Sequence, residues 1–164
     1  MRPVRPAGLA ALAAAGLVIA GCLTAFQLGL LGTVWDPVFG TGSERVLPSA
    51  AARLLPVPDA SLGALAYAAD LVLAVALAAR VGPSRPIAGL LAGIASLGGL
   101  ASIGLIGLQA FVVDAFCSLC IASAALSIVL AVGALAEARD ALGPADQATR
   151  ARSSASPSLK EAHR

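Results

Sequence analysis

Four long apolar stretches set the terms on which this chain can fold. They run from about Ala7 to Leu31, Ala60 to Ala79, Pro86 to Ala110 and Ala115 to Leu135, and Asp70 is the only charged residue within them. Each reaches the roughly 20 residues a helix needs to cross a bilayer. Lipid offers the backbone no hydrogen-bond partners, so each span must be helical. The expected fold is an all-α membrane protein, a four-transmembrane-helix bundle with a long loop between helices 1 and 2. Residues 7–137 form the bundle, 1–6 a short N-terminal segment and 138–164 a polar, disordered tail with a helical start. Composition agrees, because 59% of the 164 residues are hydrophobic and 12% charged, about half the charge of an average soluble domain. A water-soluble globule is excluded, and so is a disordered bundle region. A net charge of +2 gives no basic footprint, so the expected surroundings are membrane lipid and no nucleic acid.

The few basic residues orient the spans. Arg2, Arg5, Arg80, Arg85, Arg139, Arg150, Arg152, Lys160 and Arg164 fall on one side, against Arg45 and Arg53 on the other. Lys and Arg accumulate on the cytoplasmic side, so both termini are expected there. The loop from about Gly32 to Asp59 and the turn at Asp114 are then exported. A competing reading of the N-terminus takes Ile19-Ala20-Gly21-Cys22 as a lipoprotein cleavage box. The apolar run continues past Cys22 to Leu31, which favours a retained first span with Cys22 as a small packed residue.

Small residues let membrane helices approach closely. In the third span Gly89 and Gly93 stand at G-x-x-x-G spacing, followed by Gly98, Gly99, Ser102 and Gly104. They predict a helix packed against neighbours along much of its length.

Of three cysteines, Cys117 and Cys120 form Cys117-Ser118-Leu119-Cys120 at the start of the fourth span. Thiols at i and i+3 share a helix face, within reach of a disulfide after modest adjustment. The positive end of the helix favours a thiolate, the reactive form of cysteine. The alternatives are a structural disulfide and a metal clip. A bridge around two residues constrains little chain. Zinc wants four Cys or His ligands, and the single histidine, His163, lies in the tail, so no metal is expected. Redox chemistry is the favoured reading.

Three segments carry a resemblance to a known family. They are Gly42-Ser43-Glu44-Arg45-Val46-Leu47-Pro48-Ser49 in the first loop, Val57-Pro58-Asp59-Ala60-Ser61-Leu62-Gly63-Ala64-Leu65-Ala66-Tyr67 entering the second span, and Phe116-Cys117-Ser118-Leu119-Cys120-Ile121-Ala122-Ser123 on the fourth. In order, spacing and topology the chain resembles the vitamin K epoxide reductase family from about Ala7 to Leu135. The resemblance implies a thiol–quinone oxidoreductase in a bacterial inner membrane. Its partners are a quinone (menaquinone or ubiquinone) as substrate and a thioredoxin-like thiol donor, and it supports disulfide formation in exported proteins. It makes Cys120 the cysteine beside the quinone and Cys117 the one that exchanges with an incoming thiol. Asp59 falls where the family places an Asn or Asp able to hydrogen-bond a quinone oxygen, and Tyr67 and Ser123 join it as quinone-binding residues.

The family's two loop cysteines should fall at Trp35 and Ser43, and neither is cysteine. The first step of its relay therefore cannot take the usual form. Either a partner thiol attacks Cys117 directly, or the reaction has changed, or the quinone pocket persists without turnover. Trp35 and Phe39 either cover the pocket mouth or, for Trp35, anchor the chain at the membrane interface. Thiol–disulfide couples of oxidoreductases lie at about −270 to −120 mV, and most respiratory quinones are more oxidising, so electrons run from thiol to quinone. Attack by a Cys120 thiolate, resolved by Cys117, gives a disulfide and a quinol.

Asp70 lies in mid-span, where a carboxylate is a functional candidate by default. Tyr67, one turn earlier, shares its face. Asp70 either delivers protons to a reduced quinone or sits neutral, bonded to a neighbouring helix. Ser123 and Ser127 fall on the cysteine face and either line a pocket or bond back to their own helix. The expected function is thiol–quinone oxidation–reduction; the alternative is a non-catalytic membrane scaffold or quinone-binding subunit with a vestigial C-x-x-C.

Overall fold

The computed structural model describes residues 5–40, 44, 46–47, 58–81 and 84–155, with side chains of the last helix described up to 141 and at 143. Ser43, Arg45, Pro48, Ser49, Val57 and the end of the tail, with His163, lie outside the described residues. Four helices follow in order: α1 (Pro6–Gln27), α2 (Asp59–Ala78), α3 (Ser84–Leu108) and α4 (Ser118–Ala155). A π-helical turn, Gln109–Val113, extends α3. There is no strand among the described residues. The spanning parts are Pro6–Gln27, Asp59–Ala78, Ser84–Val113 and Ser118–Ala141, each long and apolar enough to cross a membrane. The chain is an integral four-helix membrane protein, and an even number of spans puts the start of α1 and the end of α4 on one side.

The helix ends follow from local chemistry. Pro6 opens α1, where its fixed φ suits the first turn and its missing N–H costs nothing. α1 stops four residues short of Leu31 because Gly29 turns left-handed at φ 73°. The N–H groups of Gly29 and Leu30 then bond back to Phe26 and Ala25, closing a Schellman cap. α2 ends on the same motif. Arg80 is left-handed at φ 55°, and Arg80 and Val81 bond back to Leu77 and Ala76. Asp59, in the first turn of α2, complements the positive end of that helix.

α1 packs chiefly on α2 and α3 on α4; α2–α3 and α1–α4 contacts close the ring. One core is built largely from small side chains, with Ala13, Ala20, Ala74, Ala88, Ala92, Ala95, Ala131 and Ala134 around Leu9, Leu91, Leu130 and Tyr67. Such residues bring helix backbones close where lipid supplies no hydrophobic push. A second cluster, Leu23, Val34, Val46, Leu47, Ala115 and Cys117, closes the end of the bundle where α4 begins. Large apolar residues such as Val18, Val72, Leu90, Leu100 and Val132 are exposed around the outside, the surface that meets lipid.

The glycine expectation for α3 holds at one position. A Cβ at Gly99 would touch Ala131 and the α4 backbone, whereas Gly89, Gly93, Gly98 and Gly104 have nothing within 4 Å of theirs. The third span packs through Ala88, Leu91, Ala92, Ala95 and Gly99 instead, and several of its glycines face open space. Cys22 is exposed rather than packed, on a helix that runs through it unbroken to Gln27. The helical start of the tail extends to Ala155 as part of α4. Arg85 at the start of α3 donates its Nε–H to the Ala141 carbonyl at 3.3 Å.

Candidate functional site

The cysteine motif straddles a helix start. The Cys117 carbonyl accepts the first helical bond, from Ile121 N–H at 3.0 Å, so Cys117 is the N-cap residue of α4 and Cys120 sits three residues in. The Cys120 N–H donates to Cys117 Sγ at 3.1 Å, the contact that a serine or threonine cap makes with oxygen. Capping rather than a shared helix face brings the two cysteines together. Both are thiols in this structure. Cys117 is completely buried and Cys120 partly so.

Gln109, at the start of the π-turn, is 4% exposed. Its Oε1 accepts the Cys117 N–H at 3.3 Å. Sequence reasoning missed this residue. The available signal was a lone amide in an otherwise apolar stretch, eight residues before Cys117.

A second unexpected residue, Asp36, holds the connecting loop over the motif. Its carboxylate accepts the Ser118 N–H at 3.3 Å and the Ser118 hydroxyl, and also the N–H groups of Val38 at 3.3 Å and Phe39 at 2.9 Å. The acceptor therefore completes the N-terminus of α4 while turning the loop. Val34, Val46 and Leu47 pack in the same cluster as Cys117. Hydrogen bonds to a charged group contribute about 1.5–3 kcal/mol each. Asp36→Ala is therefore expected to loosen the loop and raise the rate of Cys117 alkylation by a water-soluble maleimide on the order of 10-fold. An unchanged rate would show that the loop covers Cys117 without Asp36.

A cavity of about 820 Å³ lies beside the motif, bounded by α2, α3 and α4 with smaller contributions from α1 and the loop. Cys120, Asp59, Tyr67, Ser123 and Gln109 all line it, so the structure brings together every residue expected at the site except Cys117. Cys117 is buried and does not line it. Most of the remaining lining is aliphatic. Leu62 of α2 and Leu97 and Leu105 of α3 line the cavity and are exposed.

The polar groups of the wall are held in place. Tyr67 Oη donates to the Ser123 carbonyl at 2.7 Å or shares its proton with Ser123 Oγ at 3.1 Å and Ser127 Oγ at 2.6 Å. Ser127 thus lines the cavity and bonds Tyr67, one of the two readings its place on the cysteine face left open. Asp59 is fixed by Gln27, whose Nε2–H donates to Asp59 Oδ1 while its Oε1 accepts the Ala60 N–H at 3.2 Å. One glutamine at the end of α1 thus ties down the start of α2. Asp70 is 3% exposed and lines the cavity one turn beyond Tyr67. Its Oδ1 has no hydrogen-bond partner among the described residues, so the bond to a neighbouring helix, one of its two alternative readings, is not seen at that oxygen.

Trp35 and Phe39 do not line the cavity. Trp35 is 79% exposed, and Phe39 packs on Phe116 with ring centroids 5.6 Å apart. Among the described residues no cluster of three or more His, Cys, Asp or Glu could hold a metal ion.

Searches of curated proteins and of solved structures each gave no match. The model of the vitamin K epoxide reductase family matches residues 8–135, which takes in most of the first and fourth spans, both others, the loop and the cysteine motif. With a helical bundle, a C-x-x-C at the head of its fourth helix and no second cysteine pair among its three cysteines, the chain belongs to the vitamin K epoxide reductase family, as a member with a reduced cysteine set.

Proposed function

We propose that this protein is a thiol–quinone oxidoreductase of a bacterial inner membrane, in which Cys117 and Cys120 pass electrons from a protein dithiol to a quinone and so support disulfide formation in exported proteins. The observation that carries the reading is Cys120 in the wall of a large apolar cavity whose few polar groups converge beside it. Small-molecule pockets of about 300–1,000 Å³ have this character. The residues present fit a menaquinone or ubiquinone. Asp59 and Tyr67 would hold its oxygens with Ser123 supporting Tyr67, and the aliphatic wall toward lipid would hold its tail. A bound quinone supplies a two-electron, two-proton acceptor.

The chain's own part divides between the two sulfurs. In the oxidised state a thiolate of a thioredoxin-like partner attacks Cys117 Sγ and releases Cys120, and the partner's second thiol frees Cys117. Two electrons have then entered as two thiols. Cys120 faces the acceptor, Cys117 closes the disulfide behind it, and the two thiol protons leave with the quinol. Because Cys117 lies under the loop held by Asp36, the partner gains access only when that loop moves. Trp35 stands where a loop cysteine would serve the family's relay, so electrons enter at Cys117 directly. The basic residues place both termini, and the tail after about Glu137, in the cytoplasm, with the C-x-x-C on the exported side. Asp70 stands where it can exchange a proton with the cavity.

Purified protein in lipid, given a reduced dithiol protein and a quinone, is expected to form quinol catalytically. Gly98 lines the cavity and a Cβ there meets nothing within 4 Å, so Gly98→Phe places a ring in the quinone's space. Quinone reduction should fall on the order of 100-fold, as for misplaced substrates generally, while the dithiol still reduces the Cys117–Cys120 disulfide at the normal rate. Unimpaired quinone reduction by Gly98→Phe would remove the cavity from the account.

A further inference from the structure

Gln27 is the last residue of α1, and both ends of its amide are engaged at once. Its Oε1 accepts the Ala60 N–H at 3.2 Å. Its Nε2 donates to Asp59 Oδ1 and, in a longer contact of 3.5 Å, to the Leu47 carbonyl. The reverse orientation would set an NH₂ group against the Ala60 N–H and an oxygen against a carboxylate and a carbonyl. The amide therefore points one way only. Its direction in turn fixes the carboxyl group of Asp59. Oδ1 also receives the Ala60 N–H at 2.8 Å, so it faces two donors and serves as an acceptor. A hydrogen on this carboxyl group belongs to Oδ2, which makes no hydrogen bond among the described residues. Asp59 lines the cavity with Cys120, whereas Gln27 does not.

We propose that Gln27 is the positioning residue for Asp59: by occupying Oδ1 it makes Oδ2 the oxygen offered to the cavity, so that Asp59 meets a ligand through the one atom able to donate to a ligand carbonyl. The proposal rests on the oxidoreductase reading, which makes that ligand a quinone. Oδ2 donates to a carbonyl while it carries hydrogen and accepts from a hydroxyl when it does not. A quinone presents the first group and its quinol the second, so one oxygen serves both.

Two pairs of variants of the full chain test this. Gln27→Met keeps the side chain's length without the amide. It is expected to raise KM for quinone about 10-fold, the effect of one hydrogen bond, with kcat within a few-fold. In an Asp59→Ala background it should raise KM no further, since Gln27 then has nothing to position. The second pair turns the group at 59 round. In Asp59→Asn the new amide oxygen takes the Gln27 N–H, and its NH₂ meets the cavity. Adding Gln27→Glu keeps a bond between the two side chains but puts an acceptor in place of Nε2. The amide at 59 then reverses and offers its oxygen to the cavity, and KM should be about 10-fold higher than in Asp59→Asn alone. Equal rises by Gln27→Met in both backgrounds, or equal KM values in the second pair, would overturn the proposal and leave Gln27 a tie between α1 and α2.

Thermal unfolding of Gln27→Met and Asp59→Ala, singly and together, needs no quinone, and the losses are expected to be less than additive. Additive losses beside intact quinone turnover remove only the Gln27 proposal. Less than additive losses in a protein that never reduces quinone remove only the oxidoreductase reading.

Discussion

Cys120→Ser is expected to lower dithiol-driven quinone reduction by on the order of 10³-fold or more, and Cys117→Ser to do the same. A hydroxyl is a far weaker nucleophile than a thiolate, and residues that act as a unit each cost nearly the whole effect when removed. Both substitutions should leave the fold intact. Serine at 117 is itself a good N-cap for the α4 backbone, and serine at 120 keeps the size of the cysteine it replaces. The loss is therefore chemical and should appear without a change in thermal unfolding. Turnover within a few-fold of the unsubstituted protein in either variant would leave the C-x-x-C vestigial and favour a scaffold on the same bundle.

The largest structural effect is expected at Gly16. A Cβ there would fall within the van der Waals surface of the Tyr67 ring, which α2 lays flat against α1. Gly16→Val must push that ring away or separate the helices. Overpacking costs about 1–3 kcal/mol, and drawing Tyr67 Oη from Ser123 and Ser127 forfeits about 1 kcal/mol for each hydrogen bond lost. Unfolding in detergent should show a destabilisation of a few kcal/mol, together with reduced quinone turnover because Tyr67 leaves the cavity wall. The double variant Gly16→Val/Tyr67→Ala removes the clash, so it should be less destabilised than the sum of the two single changes, the coupling expected of residues in contact. Strict additivity would show that Gly16 and Tyr67 are not packed as described.

The contrast between Tyr67 and Gly16 shows what the sequence could reveal. Four spans were legible because a bilayer demands length and apolarity of each segment separately. Tyr67 and Asp70 were legible as cavity residues because three residues along a helix keep one face. The C-x-x-C was visible from spacing alone, although the capping contact that brings its sulfurs together was not. Gly16, Gln109 and Asp36 escaped because each acts on a partner outside its own element: a ring on α2, the Cys117 N–H at the head of α4, and the hydroxyl and N–H of Ser118. The glycines of α3 were misread for a related reason. A small side chain permits close packing, but it serves equally well to leave room for a cavity, as at Gly98. Composition cannot tell the two apart. Trp35 and Phe39 were read as covering the pocket mouth or, for Trp35, as an interfacial anchor, and neither lines the cavity; the direction a loop takes depends on its anchors, and the anchor here is Asp36.

One single-turnover measurement bears most directly on the central claim. Protein reduced with a dithiol and then freed of it is mixed with quinone in lipid, and quinol and the Cys117–Cys120 disulfide are followed together. The account predicts one quinol for each disulfide, formed at the same rate, with Cys22 unchanged. Quinol formed while Cys117 and Cys120 remain thiols, or a disulfide formed without quinol, would contradict it.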